Sequence, residues 1–149
     1  MAPETVRVGV LIEKRLSASP WAEFSWHVLG VVIEPPVQAN WVEVRNDDQA
    51  ITYIGSGAEV EAYTGETSGY RDNLISGEPK LWVVLRPTEQ EPGQELALVT
   101  ADPAEGEAMT ENGDLLVEAV PMPEAIRLWL AAFVDKHHVE RPFFKRKRE

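Results

Sequence analysis

The sequence predicts a β-rich α+β fold, a single antiparallel β-barrel or sandwich of about seven or eight strands closed by a C-terminal amphipathic helix. Short runs of β-branched and apolar residues recur as far as Val120, and Gly, Pro and Asn turn signals separate them. The clearest period of 3.6 residues comes near the C-terminus, and no repeat or linker divides the 149 residues. We therefore expect one domain over 1–140 with a helix over 123–138, followed by a basic tail over 141–149.

Eight segments have the alternating or continuous apolar pattern of strands. The two longest are 6–15, which charged residues end, and 26–34, which Pro35 and Pro36 stop. The others are 41–45, 51–54, 60–64, 80–86, 95–100 and 115–120. We interpret Gly55-Ser56-Gly57 as a hairpin turn between two of these strands, because glycine supplies the backbone conformations that tight turns need.

Two short helical segments are expected between the strands. Residues 66–77 form either a short helix or an irregular crossing, and Asp102 before Pro103 predicts an N-cap that opens an acidic helix over 103–111. The C-terminal helix has apolar residues at helical spacing, which are Ile126, Trp129, Leu130, Phe133 and Val134. This order resembles a pleckstrin-homology-like barrel with its capping helix, although the strand predicted just before the helix departs from that pattern.

Composition excludes several kinds of function. The chain has no cysteine, which removes disulfides, thiolate nucleophiles and cysteine metal sites. The net charge of −11 is uneven, because residues 136–149 carry +4 and the rest carry −15, and an acidic body is a poor surface for nucleic acid. The N-terminal residues lack a signal peptide, and no apolar run is long enough to cross a bilayer. We expect a cytoplasmic protein without a membrane span and without a nucleic-acid partner.

No pattern of a catalytic or cofactor site is present. The chain lacks a nucleophile elbow and a glycine-rich phosphate loop, so we predict no catalytic residue, no cofactor and no enzyme activity. We interpret acid pairs such as Glu59 with Glu61 as a solvated acidic face. His137 and His138 lie near Glu140, but adjacent side chains point in different directions, and we predict no metal site. We expect His27 to be a half-buried strand histidine.

Exposed aromatic residues and the basic tail are the candidate binding elements. Trp21 and Phe24 fall in a turn-rich stretch, and the tail interleaves aromatic and cationic residues, which suits an acidic partner. Two alternatives remain open: the aromatics pack in a satellite core, and the tail folds back on the body. The candidate partner-binding residues are Trp21, Phe24, Trp26, Phe143, Phe144, Lys145, Arg146, Lys147 and Arg148. Arg71 and Arg86 are candidate anion-binding residues, because the guanidinium fork suits phosphate.

Three stretches taken together resemble a known family. They are 8–15 with Ser19-Pro20-Trp21 and Trp26, then 66–74 followed by 81–86, and finally 120–123 running through Phe133-Val134 and His137-His138 to 142–148. In this combination the chain resembles the bacterial domain of unknown function 3305 family, whose genes lie beside those of molybdenum-dependent formate dehydrogenases.

The resemblance implies a non-catalytic accessory or maturation protein that binds a formate dehydrogenase or its maturation factors. Relatives are sometimes labelled as molybdenum-cofactor guanylyltransferases. We expect that this label does not apply to this sequence, because the sequence lacks the glycine-rich loop of a nucleotidyltransferase. The alternative hypothesis is a small-ligand module that binds a molybdopterin-type cofactor or a guanine nucleotide.

Overall fold

The computed structural model describes residues 3–16, 23–33 and 41–138. These residues form seven strands, one 3₁₀ turn and three helices. In chain order they are β1 (Glu4–Leu16), β2 (Phe24–Ile33), β3 (Val42–Asn46), β4 (Ala50–Ala62), the 3₁₀ turn (Thr64–Glu66), α1 (Thr67–Leu74), β5 (Lys80–Pro87), β6 (Gln94–Thr100), α2 (Pro103–Met109), β7 (Leu116–Pro121) and α3 (Glu124–His137).

The strands form two antiparallel sheets. The first has the order β2-β1-β4-β3, and the second has the order β6-β5-β7. The two sheets share one hydrophobic core, and the described strands do not join into one closed barrel. The β-rich prediction is therefore confirmed in its sandwich form, whereas the pleckstrin-homology-like barrel is not.

The core lies between the inner faces of the sheets. On β1 the alternate residues Val8, Val10 and Ile12 are completely buried, as the period of two in a strand requires. They belong to one cluster with residues of β5 such as Leu81 and Leu85. Each of these large apolar side chains contributes about 1.5–3 kcal/mol by leaving water.

The helix α3 adds its apolar side chains to the same core. Ile126, Leu130 and Phe133 are buried, and the Phe133 ring meets the Tyr70 ring of α1 edge-on at 6.2 Å between centroids. The C-terminal helix was predicted over 123–138, and α3 lies within that range. Residues 141–149, predicted as a basic tail, lie outside the described residues.

The prediction of a hairpin turn at Gly55-Ser56-Gly57 is wrong, because these residues lie inside the single long strand β4. The ladder with β1 pairs Val10 with Gly55 but Val8 with Ala58, so two residues of β4 stand opposite one residue of β1. This is a β-bulge, and Gly57 provides it with a φ of +95°. The segments 51–54 and 60–64, predicted as two strands, thus belong to one strand and its end.

A short helix forms in each of the two segments, so the helical alternative for 66–77 is the one observed. The helix α1 occupies the first part of 66–77, and α2 begins after Asp102, whose side chain accepts a hydrogen bond from the Ala104 N–H at 3.0 Å. The helix α2 lies against the second sheet with Gly106 over the Trp82 ring. An ideal Cβ on Gly106 would lie 2.3 Å from Trp82 Cγ, so only glycine allows this approach.

We expect Gly106→Ala to lower the free energy of unfolding by about 1–3 kcal/mol, because the added methyl group forces α2 away from Trp82. A loss of stability would be specific to this contact, because alanine has a better helix propensity than glycine by about 1 kcal/mol and would otherwise stabilise the helix. Urea denaturation measures the effect. Gly113→Ala is the matched control, because a Cβ there meets nothing within 4 Å. A Gly106→Ala protein as stable as the Gly113→Ala control would contradict this packing.

Candidate functional site

The two sheets approach each other along two seams, β2 beside β7 and β4 beside β6. The β2–β7 seam is bridged by a side chain, because the Val28 N–H of β2 donates to Glu118 Oε1 of β7 at 2.9 Å. Neither seam has a strand ladder among the described residues, but it is the β4–β6 seam that cavities mark. We therefore call the second seam the open one.

The open seam results from the unequal lengths of β3 and β4. On one side β4 pairs with β1 from Ala50 to Ala62, whereas on its other side β3 pairs with it only from Ile51 to Ile54. Beyond Ile54 no described strand pairs with that side of β4. Because β6 is itself the edge of the second sheet, two strand edges face each other across the seam.

Two adjoining cavities of about 310 and 420 Å³ mark this seam, and we call them together the seam groove. They share Ser56 and Leu96, so the groove is continuous. The groove is lined by Trp41, Gly55, Ser56, Gly57, Ala58, Glu59, Glu61, Thr88, Gln90, Glu91, Gln94, Glu95, Leu96, Ala97, Leu98 and Val99. Its described lining is apolar along β6 and has four glutamates but no Lys or Arg.

The four glutamates that line the groove differ in whether they already have a cationic neighbour. Arg86 lies 3.9 Å from Glu95, and Lys14 lies 3.0 Å from Glu91, so these two carboxylates have cationic neighbours. Glu59 stands opposite Arg7 in the β1–β4 ladder. Glu61 accepts a hydrogen bond from the Tyr63 hydroxyl at 2.6 Å, which leaves its negative charge in place and raises the pKa of Tyr63.

One end of the groove is fixed by Trp41. Its indole N–H donates to the Gln94 carbonyl at 2.9 Å, which ties the chain before β3 to the start of β6. Its ring lies on Gly55, where an ideal Cβ would come within 2.6 Å of Trp41 Cε3. The side-chain oxygen Oε1 of Gln94 is buried here and has no hydrogen-bond partner in the described part of the chain.

The loop between β5 and β6 is held beside that end by the first sheet. Lys14 donates to Glu91 Oε1 at 3.0 Å, and the Tyr53 hydroxyl donates to Glu91 Oε2 at 3.1 Å. The Trp26 indole N–H donates to the Pro92 carbonyl at 2.8 Å, and its ring lies against Gly93. Four long-range contacts from β1, β2 and β4 thus fix this loop.

The same contacts shift two pKa values. Hydrogen bonds from Lys14 and then from Tyr53 hold the pKa of Glu91 below its usual 4.5. Burial, with the nearby Glu91 carboxylate as the second cause, raises the pKa of Tyr53 to about 12. Tyr53 is therefore a neutral hydrogen-bond donor and Glu91 a charged acceptor at neutral pH.

The other end of the groove is fixed by α1 through Tyr70. Its hydroxyl accepts a hydrogen bond from the Tyr63 N–H at 3.0 Å and donates to the Glu61 carbonyl at 3.4 Å. Burial raises the pKa of Tyr70 to about 12, so the hydroxyl stays neutral. The backbone at the end of β4 is thus tied to the helical end of the sandwich.

The predicted aromatic residues have different surroundings in the structure. Phe24 is 36% exposed, with Lys14 Nζ 4.3 Å from its ring centroid, while Trp26 is half-buried against the β5–β6 loop. Trp26 packs against the main hydrophobic core and uses its indole N–H in an internal hydrogen bond. Residues Trp21, Phe143, Phe144, Lys145, Arg146, Lys147 and Arg148 lie outside the described ranges.

The two candidate anion-binding arginines are not brought together. Arg71 lies on α1, which joins the start of β5 through the Asn73 side-chain amide and the Lys80 carbonyl at 2.8 Å. Arg86 lies near the other end of β5. The six residue steps from Lys80 to Arg86 span about 20 Å in a strand, so one phosphate does not reach both arginines.

The histidines have separate partners. His137 Nε2 lies 3.5 Å from Glu4 Oε2, and His138 Nδ1 lies 2.9 Å from the Thr67 hydroxyl. No cluster of metal-ligating residues occurs among the described residues. His27 is exposed, so its prediction as half-buried is wrong, because the β1–β2 register places it opposite Glu13 on the outer face of the sheet.

Several residues in or beside the groove were not identified from the sequence. Lys14 had a detectable signal, because it continues the alternate positions of Val8, Val10 and Ile12 and therefore points inward. Its partner Glu91 lies 77 residues away in the chain, and no sequence pattern pointed to the contact between them. Trp41 was placed in a strand, but its contact with Gly55 depends on the pairing of β3 with β4.

Comparison with known proteins identifies one family. A family model described as "Protein of unknown function (DUF3305)" matches residues 7–148. No curated protein and no solved structure matches the chain. In the described ranges no helix is long and apolar enough to cross a membrane.

We expect Glu91→Gln to lower the free energy of unfolding at neutral pH by about 0.5–1 kcal/mol, a small effect because this side chain is 72% exposed. Since the folded pKa of Glu91 is lowered, its contribution is present above the usual pKa and is lost as the pH falls through the folded pKa. The difference from the wild type should therefore shrink between about pH 6 and about pH 3 in urea denaturation.

Glu89→Gln is the matched control, because Glu89 is an exposed acid of the same loop. Its stability should follow the wild type at both pH values. A Glu91→Gln deficit that stays constant with pH would mean that the charge of Glu91 does not hold the loop.

Proposed function

The chain belongs to the DUF3305 family, and on that premise we propose that it is a non-catalytic accessory protein that acts by binding another protein. The observation that carries the proposal is the seam groove, where the edges of β4 and β6 face each other without a ladder. Strand edges offer backbone donors and acceptors that another polypeptide satisfies well. A protein partner therefore matches the groove better than a compact small molecule does.

The rigid frame around the groove supports the same proposal. Trp41 fixes one end through Gln94, and Tyr70 fixes the other through Tyr63 and Glu61. A binding surface whose backbone is already held loses less conformational entropy when a partner docks. The open seam is thus a preformed surface between two fixed ends.

We further propose that the partner is a molybdenum-dependent formate dehydrogenase or one of its maturation factors. This part rests on the resemblance of the three sequence stretches to a family whose genes lie beside those of that enzyme. Assembly of such an enzyme takes place in the cytoplasm, which is the compartment that we propose for this chain. Phe24, Trp26 and the tail residues Phe143 to Arg148 are proposed as further contact elements.

The second candidate function is a module for a molybdopterin-type cofactor or a guanine nucleotide. Arg71 and Arg86 were its proposed ligands, and their separation along β5 disfavours a single phosphate site between them. A ligand that binds only the folded state raises the apparent stability of the protein. A rise in melting temperature with a guanine nucleotide would therefore favour this candidate.

We expect affinity capture of the tagged full chain, from native-host cells grown with formate and molybdate, to recover formate dehydrogenase subunits or their sulfur-transfer chaperone. The captured proteins are identified by mass spectrometry against a capture with the tag alone. Deletion of 141–149 should reduce the recovery while leaving the fold intact, which an unchanged melting temperature would show.

Two outcomes would contradict parts of this proposal. Recovery of neither the enzyme nor its chaperone by a well-folded sample would reject the formate dehydrogenase assignment. Equal recovery with and without 141–149 would remove the tail from the contact elements.

A further inference from the structure

We infer that the edge of β6 in the seam groove accepts a cationic, extended segment of a partner protein as an added β-strand. The inference rests on the proposed binding function and deepens it, because it assigns the mode of binding and the chemistry of the segment. It depends on three features of the groove: the direction of the β6 backbone groups, the apolar side chains beside them and the glutamates on the opposite wall.

The backbone of β6 directs hydrogen-bonding groups into the groove. The Gly93 carbonyl accepts from the Thr88 N–H at 3.1 Å and so points toward β5, while the next carbonyl, that of Gln94, points away from β5 toward the Trp41 indole. Backbone groups alternate in direction along a strand. The N–H and C=O of Leu96 therefore point away from β5 as well, into the seam, where no described strand pairs with them.

The shape of the seam favours an extended segment. Cα atoms of β4 and β6 approach within 8 Å of each other, and a helix with its side chains is about 10–12 Å across. The guest strand adds to β6 where the groove opens, since the seam is too narrow for it to pair with both edges at once. Leu96 of β6 and Ala58 of β4 both line the groove and pack against the core, so they give the guest side chains on that face an apolar surface.

The charge of the opposite wall selects a cationic segment. Glu59 and Glu61 lie two residues apart on β4 and line the groove, and its described lining has no Lys or Arg. In an extended guest, side chains two residues apart point to the same face, so its cations repeat at the spacing of these two glutamates. The net charge of −11 adds attraction over a longer range.

The buried Gln94 side chain is a further observation that points to a guest. Its Oε1 lacks a hydrogen-bond partner among the described residues, although Gln94 is only 6% exposed and lines the groove. A buried acceptor without a donor is costly. A backbone N–H of an added strand near the start of β6 supplies the missing donor once the Gln94 side chain turns toward it.

The probe is a synthetic peptide of alternating valine and lysine, blocked at both ends, and its binding to the full chain is measured by isothermal titration. We expect the Glu59→Gln/Glu61→Gln double variant to weaken its binding by about twofold to thirtyfold, as the loss of two exposed ion pairs predicts. The matched control is Glu78→Gln/Glu111→Gln, which removes two exposed acids that do not line the groove. This control should bind the peptide like the wild type.

A second measurement tests the added strand itself. N-methylation of every second peptide residue removes the backbone donors on one edge of the peptide, so one methylated set should abolish binding while the other set leaves it unchanged. Hydrogen exchange of the β6 amides should slow when the peptide binds, and that of the β3 amides should not. Equal effects of the two methylated sets, or protection of β3 instead of β6, would overturn the added strand.

The remaining outcomes separate this inference from the proposed function. If the Glu59→Gln/Glu61→Gln variant captures formate dehydrogenase subunits as well as the wild type does, the groove is not their binding site. The proposed accessory function would then still stand. Peptide binding to β6 without capture of those subunits would keep the groove and reject the assigned partner. A tenfold or larger gain in peptide affinity on deletion of 141–149 would show that the chain's own tail is the occupant, and would overturn the inference of a partner segment.

Discussion

The antiparallel ladder between β1 and β4 is the interaction on which the rest of the structure depends. Both strands have thirteen residues, and they pair from Glu4 with Ala62 to Arg15 with Ala50. Their inner faces supply much of the core, β2 pairs with the free side of β1, and β3 pairs with the other side of β4. Because β3 is only five residues long, about half of β4 has no second neighbour among the described strands. The candidate site is thus a direct result of strand length.

Local sequence patterns identified the elements that local forces determine. The alternation in β1, the Asp102 cap and the helical period from Ile126 to Val134 each depend on residues close in sequence. The bulge at Gly57 was misread, because a bulge and a turn need the same glycine conformation. Only the position of β1, about fifty residues earlier in the chain, distinguishes the two.

The candidate site was the least predictable part, because it is built from contacts that are distant in sequence. Glu59 and Glu61 were noticed as an acid pair, but their importance comes from β6, which follows more than thirty residues later. The exposed aromatics suggested a binding surface, whereas Trp26 and Trp41 use their indole N–H groups inside the molecule. Large aromatic side chains with one polar atom serve internal junctions as well as interfaces, and the sequence does not separate these roles.

An open strand edge also carries a risk of self-association, since copies of one protein can pair edge to edge and grow into aggregates. The glutamates beside the β6 edge act against this outcome, because the approaching copy has the same acidic groove and a net charge of −11. A second copy is therefore repelled by the same charges that we propose attract a cationic segment. The acidic wall thus acts against edge-to-edge pairing of identical copies.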